Sequence, residues 1–256
     1  MARRYKAVLN CFGTSQIHYR NPVVIAWWSS ALPGFGHMLL NMHIKGNILF
    51  LCEIFLNVQS NLNLATVYTF TGEFDLAKHV LNTRLLIIYI PFYIFCIWDS
   101  YRSTVDLNKN FFLAEKEPFE LPVFDMSAIE VCFLDKRVPW AAGVWSLLFP
   151  GLGQLYNRRI ITAFALLIWM LVITYNSHYL DSVHLLFYGK PGEAKEILNM
   201  EWLLFFPSLV FGAAFDAYSK TVEHNKLFDS EQRAYLEKEW HSESTHISFI
   251  KKGEQP

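Results

Sequence analysis

Two ionisable residues lie in apolar stretches of this sequence and are its first candidates for chemistry. Glu53 lies in the middle of LFLCEIFLNV, which has the composition of a membrane span. A charged group at that depth costs about 2.5–3.5 kcal/mol on insertion scales. His37 follows a Pro-Gly break and is the best candidate partner, because a protonated imidazole beside the carboxylate would lower this cost and could relay protons. The alternative is a protonated Glu53 that hydrogen-bonds a neighbouring helix and stabilises the fold.

A second pattern occurs twice, as an aspartate followed two residues later by a tyrosine at the end of an apolar run. The residues are Asp99 with Tyr101 and Asp216 with Tyr218. A carboxylate there can accept hydrogen bonds from the backbone of a nearby turn, or pair with Arg102 or Arg158. We therefore expect each aspartate to act as a structural latch, with a catalytic pair of carboxylates as the alternative.

Other motifs that carry chemistry do not occur in the sequence. It contains no Gly-x-Ser-x-Gly, His-Glu-x-x-His, phosphate-binding Gly-Lys-Ser/Thr loop or dinucleotide fingerprint. No two of its nine histidines have the i, i+3 or i, i+4 spacing of metal ligands on a helix. Its four cysteines are scattered and form no Cys-x-x-Cys pair: Cys11, Cys52, Cys96 and Cys132. We therefore predict no metal site, no cofactor and no enzymatic activity, and the net charge of −1 gives no indication of nucleic-acid binding.

The composition favours a membrane protein. The chain is 53% hydrophobic and 18% charged, whereas soluble domains have about 25% charged residues. Three runs of 14–16 residues contain no Asp, Glu, Lys, Arg or His: 85–98, 160–175 and 202–215. With flanking residues each approaches the minimum of about 17 for a spanning helix. We predict an all-α polytopic membrane protein, with buried core helices of a soluble protein as the alternative.

The chain contains an internal repeat with an offset of 117 residues. Residues 22–109 align with 139–226 without a gap, and 22 of the 88 positions are identical. Seven of these identities are at Leu, Ile, Phe, Val or Ala, so an apolar composition does not explain the rest. We predict a tandem duplication, as is common in membrane proteins.

Each copy begins with an apolar segment that a Pro-Gly pair interrupts. The motif residues are Pro33, Gly34 and Gly36 in the first copy and Pro150, Gly151 and Gly153 in the second. Only eleven residues, 22–32, precede the first proline, which is about 16 Å of helix, or half a bilayer. Trp27, Trp28 and Trp145 suit an interfacial depth. A segment that enters and leaves by one face is therefore expected, with a kinked spanning helix as the alternative.

The positive charges favour the same arrangement. If each copy crosses twice, 18 of the 22 Lys and Arg residues share one side, whereas three crossings give 14 and 8. The four on the opposite side are Lys78, Arg84, Lys190 and Lys195. The positive-inside rule then places both termini in the cytoplasm, and we expect the membrane to be the cell membrane.

The motif Pro-Gly-x-Gly-[His/Gln], followed by an Asn-bearing turn and an apolar helix, resembles small two-transmembrane hairpin domains found in many bacterial membrane proteins. PGLGQLYNRR (150–159) is the closer match, and PGFGHMLLNMHIKG (33–46) has Leu40-Asn41 where Tyr-Asn is usual. The resemblance covers about 45 residues of each copy. It implies a helical hairpin and supplies no chemistry, because these domains mostly have no assigned activity.

The predicted organisation is a cytoplasmic segment 1–21, repeat 22–109, polar linker 110–138, repeat 139–226 and cytoplasmic tail 227–256. In the repeats we expect spans at about 46–60, 83–99, 160–176 and 201–216, and short helices from near Glu73 and Glu193. The linker is expected to hold one strand, and the tail a helix capped by Asp229 or Ser230.

This organisation favours a membrane-embedded interaction or scaffold module, whose partners are the lipid bilayer and a protein bound through linker and tail. The first alternative is a small proton-coupled transporter or channel that uses Glu53 and His37. An intramembrane enzyme that brings Asp99 and Asp216 together is the second. The sequence leaves the oligomeric state open.

Overall fold

The computed structural model describes residues 7–10, 13–117, 124–126 and 131–240. It is about 77% helical, and the strands in the described ranges form two short antiparallel hairpins. The described chain is therefore all-α with no sheet core, as predicted.

In chain order, the first half contains strands β1 (Ala7–Asn10) and β2 (Gly13–Gln16) and helices α1 (Pro22–Ala31), α2 (Phe35–Leu39), α3 (His43–Ser60), α4 (Leu62–Phe70), α5 (Phe74–Val80) and α6 (Thr83–Ala114). Strands β3 (Phe124–Met126) and β4 (Val131–Phe133) follow. The second half contains helices α7 (Pro139–Leu148), α8 (Leu152–Tyr156), α9 (Ile160–Ser177), α10 (Tyr179–Phe187), α11 (Pro191–Ile197), α12 (Met200–Leu203) and α13 (Phe205–Trp240). Helices α7 to α11 begin and end 117 residues after α1 to α5.

Three helices are long and apolar enough to cross a membrane. They are α6 (Thr83–Ala114), α9 (Ile160–Ser177) and the stretch Met200–Glu237, which takes in α12 and most of α13. Helices α3 and α4 pass the same test together, although the chain bends by 62° between them. The described chain therefore has three such helices, or four if the bent pair is one span. This confirms the prediction of a helical membrane protein at this level. Helices α1 and α7 have 10 residues each, about 15 Å, which is half of a bilayer core of about 30 Å.

The Pro-Gly break turns the chain in the same way in both halves. Leu32 and Phe149 have extended backbone, because a following proline disfavours the helical conformation. Gly34 and Gly151 then have φ angles of 90° and 107°, in the left-handed region that glycine adopts without a Cβ penalty. Each break thus ends the first helix and starts a short second one, which together form what we call the Pro-Gly hairpin: α1–α2 and α7–α8.

The two halves run in the same direction through the bundle. The turn after α2 contacts α13, where Lys220 donates to Asn41 Oδ1 at 2.9 Å. The turn after α8 contacts the same part of α13, where Asn157 donates to the carbonyl of Ala217 at 3.0 Å. At the opposite end of the bundle, α4 packs against α12. We call the end that contains Asn41 and Asn157 the turn end.

One apolar core joins the two halves. The ring centroid of Trp28 is 5.0 Å from that of Phe215, and the centroid of Phe50 is 4.6 Å from that of Trp169. A Cβ added to Gly212 would lie 2.9 Å from the ring of Phe35. The first Pro-Gly hairpin therefore packs closely against α13 of the other half.

The structure corrects several sequence predictions outside the spans. The N-terminal segment contains the unpredicted hairpin β1–β2, and the linker contains two strands instead of one. Helices α6 and α13 do not end near Asp99 and Asp216 but continue for more than a dozen residues. The predicted tail helix from Asp229 or Ser230 is therefore a continuation of α13. The physical reason is that no Gly or Pro follows either aspartate within these helices.

The close approach of α8 to α7 at Gly153 gives a first prediction. A Cβ added to Gly153 would lie 2.1 Å from the carbonyl oxygen of Ala142 and 2.2 Å from Ser146 Oγ. Gly153→Ala should therefore destabilise the protein by about 1–3 kcal/mol or more, as overpacking does. The matched control is Gly192→Ala in α11, where a Cβ meets nothing within 4 Å and should stabilise by about 0.5–1 kcal/mol. Chemical unfolding in detergent measures both, and equal effects would contradict the packing.

Candidate functional site

The Asp99 carboxylate connects the first Pro-Gly hairpin to α6. Its Oδ2 atom lies 2.6 Å from Nε2 of His37 and also accepts a hydrogen bond from Lys45 Nζ. The His37 side chain is fully buried, whereas those of Asp99 and Lys45 are 16% and 44% exposed. This latch therefore has a buried histidine on one side and a solvent-exposed lysine on the other.

The Asp216 carboxylate makes the equivalent connection in the second half, with different partners. Its Oδ2 atom accepts hydrogen bonds from Gln154 Nε2 at 3.1 Å and from Arg159 Nη1 at 2.5 Å. Gln154 is held in turn, because its Oε1 accepts from Ser146 Oγ at 3.1 Å and its Nε2 donates to the carbonyl of Ala213 at 2.8 Å. Asp216 and Arg159 are buried, so this latch is an interior ion pair.

Both aspartates thus contact a Pro-Gly hairpin, but not through the arginines that the sequence suggested. Arg102 lies beside Asp106, and Arg158 lies over the ring of Phe133. The two tyrosines of the repeated pattern are 45% and 50% exposed and take no part in either latch: Tyr101 and Tyr218. Each aspartate has its own partners, so the described contacts do not join them in a shared catalytic pair.

A second contact holds each hairpin, and the sequence analysis did not find it. Arg20 donates from Nη1 to the carbonyl of Leu39, while its own backbone N–H donates to Asn108 Oδ1 at 3.0 Å and its carbonyl accepts from Asn108 Nδ2 at 2.7 Å. Arg137 and Asn225 form the same set of contacts around the carbonyl of Tyr156. The sequence feature that could have revealed this contact is that Arg20 and Arg137 each lie two residues before an aligned repeat.

The motif glycines permit close approach of backbone to backbone. A Cβ on Gly34 would lie 2.4 Å from the carbonyl oxygen of Gly46 in α3. A Cβ on Gly36 would lie 2.1 Å from Ser29 Oγ, as Gly153 does with the equivalent serine. Pro33 and Pro150 are buried beside them. These residues therefore have structural roles in the hairpin.

Glu53 and His37 do not form the proton-relay pair that the sequence suggested. Oε1 of Glu53 accepts hydrogen bonds from Asn57 Nδ2 and from the Tyr89 hydroxyl, both at 3.0 Å. Neither Oε2 of Glu53 nor Nδ1 of His37 has a hydrogen-bond partner in the described chain. The geometry corresponds to the alternative interpretation, in which Glu53 holds neighbouring helices together.

The hydrogen bonds around Glu53 continue into the second half, at the end of the bundle opposite the turns. Asn57 and Asn63 exchange hydrogen bonds of 3.2 Å. Asn63 Nδ2 donates to the backbone carbonyl of Glu201 at 2.9 Å. The backbone N–H of Leu64 donates to the side-chain Oε2 of Glu201 at 2.6 Å. A buried polar chain thus runs from α6 through α3 and α4 to α12. Sequence analysis missed Glu201, which interrupts the apolar run before α13.

Among the described residues, no group of three or more His, Cys, Asp or Glu side chains is placed to hold a metal ion. Comparisons with protein families, with curated proteins and with solved structures find no match to this chain. The resemblance to two-transmembrane hairpin domains therefore stays a prediction.

The two latches give a prediction about relative cost. Asp216→Asn leaves Arg159 buried without a carboxylate, which should cost about 3–5 kcal/mol of stability. Asp99→Asn should cost about 1 kcal/mol, because Lys45 can turn into water and the asparagine side chain can still hydrogen-bond the buried His37. Unfolding in detergent measures both variants. The double variant Asp216→Asn/Arg159→Gln should recover part of the loss, and similar costs for the two single variants would contradict the burial difference.

Proposed function

We propose that this protein is a non-enzymatic membrane module that binds a protein partner through the layer outside the bilayer at the turn end. This layer consists of the hairpins β1–β2 and β3–β4 and the last part of α13. Helix α13 has 36 residues, about 54 Å of helix, whereas the bilayer core is about 30 Å thick. Its C-terminal part therefore projects beyond the turns, since Ala217 and Lys220 already lie at the turn end.

The main support for this proposal is an apolar groove in this layer. It lies between the end of the linker and α13 and is lined by Leu134, Phe228, Glu231, Gln232 and Tyr235. Tyr235 is 61% exposed, and Leu236 beside it 46%. Apolar side chains gathered in a water-facing layer mark interaction sites, whereas the same side chains in the spans face lipid.

The contacts inside the bundle support a scaffold rather than a reaction. Each ionisable residue that first suggested chemistry has a partner that holds two helices or a hairpin together. Asp99 and Asp216 bind the Pro-Gly hairpins, and Glu53 binds Asn57 and Tyr89. The transporter alternative depended on a His37–Glu53 contact, and no described contact supports it.

We infer also that the two halves, 22–109 and 139–226, arose by tandem duplication without a change of orientation. The common offset of 117 residues in helix boundaries supports this, as do the equivalent contacts of Arg20 and Arg137. Same-direction copies that each cross twice put the turns, the linker and both termini on one side. The positive-inside rule makes this side cytoplasmic in the cell membrane.

The orientation can be tested by cysteine labelling in a background without the four native cysteines. Lys45→Cys and Arg158→Cys should both react only after permeabilisation of cells, because both lie at the turn end. Lys78→Cys and Lys190→Cys should react with an impermeant reagent from outside. Labelling of Lys45→Cys and Arg158→Cys from opposite sides would overturn the arrangement.

The interaction surface can be tested by photo-crosslinking in native membranes. A benzoylphenylalanine incorporated at Tyr235 should form a discrete adduct with a partner protein, because it lies in the groove. The matched control is the same residue at Tyr175, which is 81% exposed on the apolar helix α9 and should crosslink to lipid. If both positions give the same products, the groove is not the interaction surface.

A further inference from the structure

A cleft of about 330 Å³ lies between the hairpin β1–β2, the turn after α2 and α6. This volume is within the range of about 300–1,000 Å³ that is typical of small-molecule sites. Part of its wall is apolar and includes Val8, Leu40 and Leu107, and another part includes Arg20. None of the described residues that line it is acidic. We call it the Arg20 cleft.

The second half has larger side chains at the positions equivalent to two residues of this cleft. Strand β3 begins 117 residues after β1, and β4 ends 117 residues after β2, so the two strand hairpins are equivalent by position. Gln16 of the cleft corresponds to Phe133, and Asn41 corresponds to Arg158. The guanidinium carbon of Arg158 lies 3.8 Å from the ring centroid of Phe133. Where the second half has a stacked pair, the first half therefore has two smaller side chains beside a cleft.

The first half also lacks the carboxylate that accompanies the equivalent arginine. In the second half, Arg137 donates from Nε to Asp135 Oδ1 at 2.9 Å, while its Nη1 holds the hairpin carbonyl. In the first half, Nη1 of Arg20 also holds a hairpin carbonyl, but its Nε donates to Nε2 of His18 at 3.0 Å. His18 stands 117 residues before Asp135. Because an imidazole is never an anion, Arg20 has no local counter-ion of the kind that Arg137 has.

More distant carboxylates compensate the charge of Arg20 only in part. Asp216 and Glu223 both attract it, whereas Arg159 repels it. Asp216 is bound by Arg159, and Glu223 accepts a hydrogen bond from Lys226 at 2.7 Å. In the part of the chain that the structure describes, no carboxylate forms an ion pair with Arg20. The guanidinium therefore has room for a further anion beside it.

Arg20 keeps its charge near neutral pH and has a donor group that the described chain does not use. Burial lowers the pKa of Arg20 to about 10, which leaves its guanidinium protonated. Burial, followed by the charge of Arg20, lowers the pKa of His18 to about 2, so this imidazole is neutral. The side-chain hydrogen bonds of Arg20 use Nε and Nη1. Since no described residue accepts from Nη2, this group can donate to a ligand.

We propose that the Arg20 cleft binds a small organic carboxylate whose apolar part lies against Leu40 and Leu107. The ligand supplies the negative charge that Asp135 supplies in the second half, and it accepts a charge-assisted hydrogen bond from the guanidinium. The apolar wall favours an aliphatic body over a purely polar anion. A soluble carboxylate and a fatty acid of the bilayer both present this chemistry. The site is separate from the apolar groove of the proposed function and does not depend on it.

The first test places the missing counter-ion inside the protein. Replacement of Arg20 itself is unsuitable, since it also removes a contact that holds the Pro-Gly hairpin. The full-length chain and His18→Asp are therefore compared in detergent by their melting temperatures, measured by tryptophan fluorescence, in hexanoate and in chloride at equal ionic strength. Hexanoate should raise the wild-type melting temperature by about 3–5 °C at about ten times its Kd. His18→Asp should lose this gain, because its own carboxylate binds Arg20, and a full gain in this variant would overturn the proposal.

The matched control is Lys109→Gln, which makes the net charge more negative by the same amount at an exposed position of α6. It should keep the hexanoate gain of the wild type. If it loses the gain as fully as His18→Asp, the effect is one of general charge and the site is excluded. Acetate and hexanol each offer one part of the ligand and should give smaller gains than hexanoate. An equal gain with hexanol would show that the charge of Arg20 is not used, and this too would exclude the site.

A second variant tests the space in the cleft without a change of charge. Gln16→Phe introduces the side chain that Phe133 provides in the second half, and it leaves Arg20 and His18 as they are. The larger side chain should occupy part of the cleft and reduce the hexanoate gain. If Gln16→Phe responds to hexanoate as the wild type does, the ligand lies elsewhere and the proposal is wrong.

Palmitate added to the detergent separates the two sources of the carboxylate. A gain that His18→Asp loses with hexanoate alone assigns a soluble ligand. The same loss with palmitate alone assigns a fatty acid of the bilayer. If neither probe gives a gain that depends on residue 18, the cleft does not bind a carboxylate, whatever the variants do in chloride.

Discussion

A break in a helix at membrane depth leaves backbone groups that need partners inside the protein, and the rest of the structure follows from this constraint. Hydrocarbon supplies no hydrogen bonds, so irregular backbone persists only when protein groups satisfy it. In both halves an arginine side chain donates to a carbonyl at the end of the Pro-Gly hairpin, from Arg20 and Arg137. Asn108 and Asn225 hold the backbone of these arginines from the long helices. The hairpins are therefore attached to α6 and α13 by polar contacts as well as packing.

The two halves have equivalent attachments of the Pro-Gly hairpin but different chemistry at the latch. In the first copy Asp99 is reached by Lys45, whose side chain is 44% exposed. In the second copy Asp216 is enclosed with Arg159, because residues of the first half, among them Asn41, cover this part of α13. The first latch therefore joins a buried histidine to a lysine at the surface, whereas the second is entirely interior. A sequence alignment cannot reveal this difference, since it depends on how the halves pack and not on either copy alone.

Much of the helical organisation was predictable from the sequence, and much of the site was not. Hydropathy predicted the apolar spans, and the Pro-Gly pairs predicted where α1 and α7 end, because both effects are local. The lengths of α6 and α13 and the hairpin β1–β2 were missed, since nothing in the local sequence marks a membrane boundary within a continuous helix. The sequence also did not identify Asp99 as the partner of His37. Asp99 lies in α6, and how α6 packs against the first Pro-Gly hairpin is not visible in the sequence. Glu201 gave no usable signal, as its partners Asn63 and Leu64 lie in the other half.

The relative orientation of the two halves brings cationic residues from both of them together. Arg20 precedes α1 in the first half and Arg159 precedes α9 in the second, and they come close because the turns of both halves lie at one end of the bundle. Copies of opposite orientation would place these two residues on opposite sides of the bilayer. The charge asymmetry that orients a membrane protein collects Lys and Arg on the cytoplasmic side, where anionic headgroups are also concentrated. With both turns at one end of the bundle, Arg20 and Arg159 lie near Asp216, which binds Arg159 and compensates part of this positive charge.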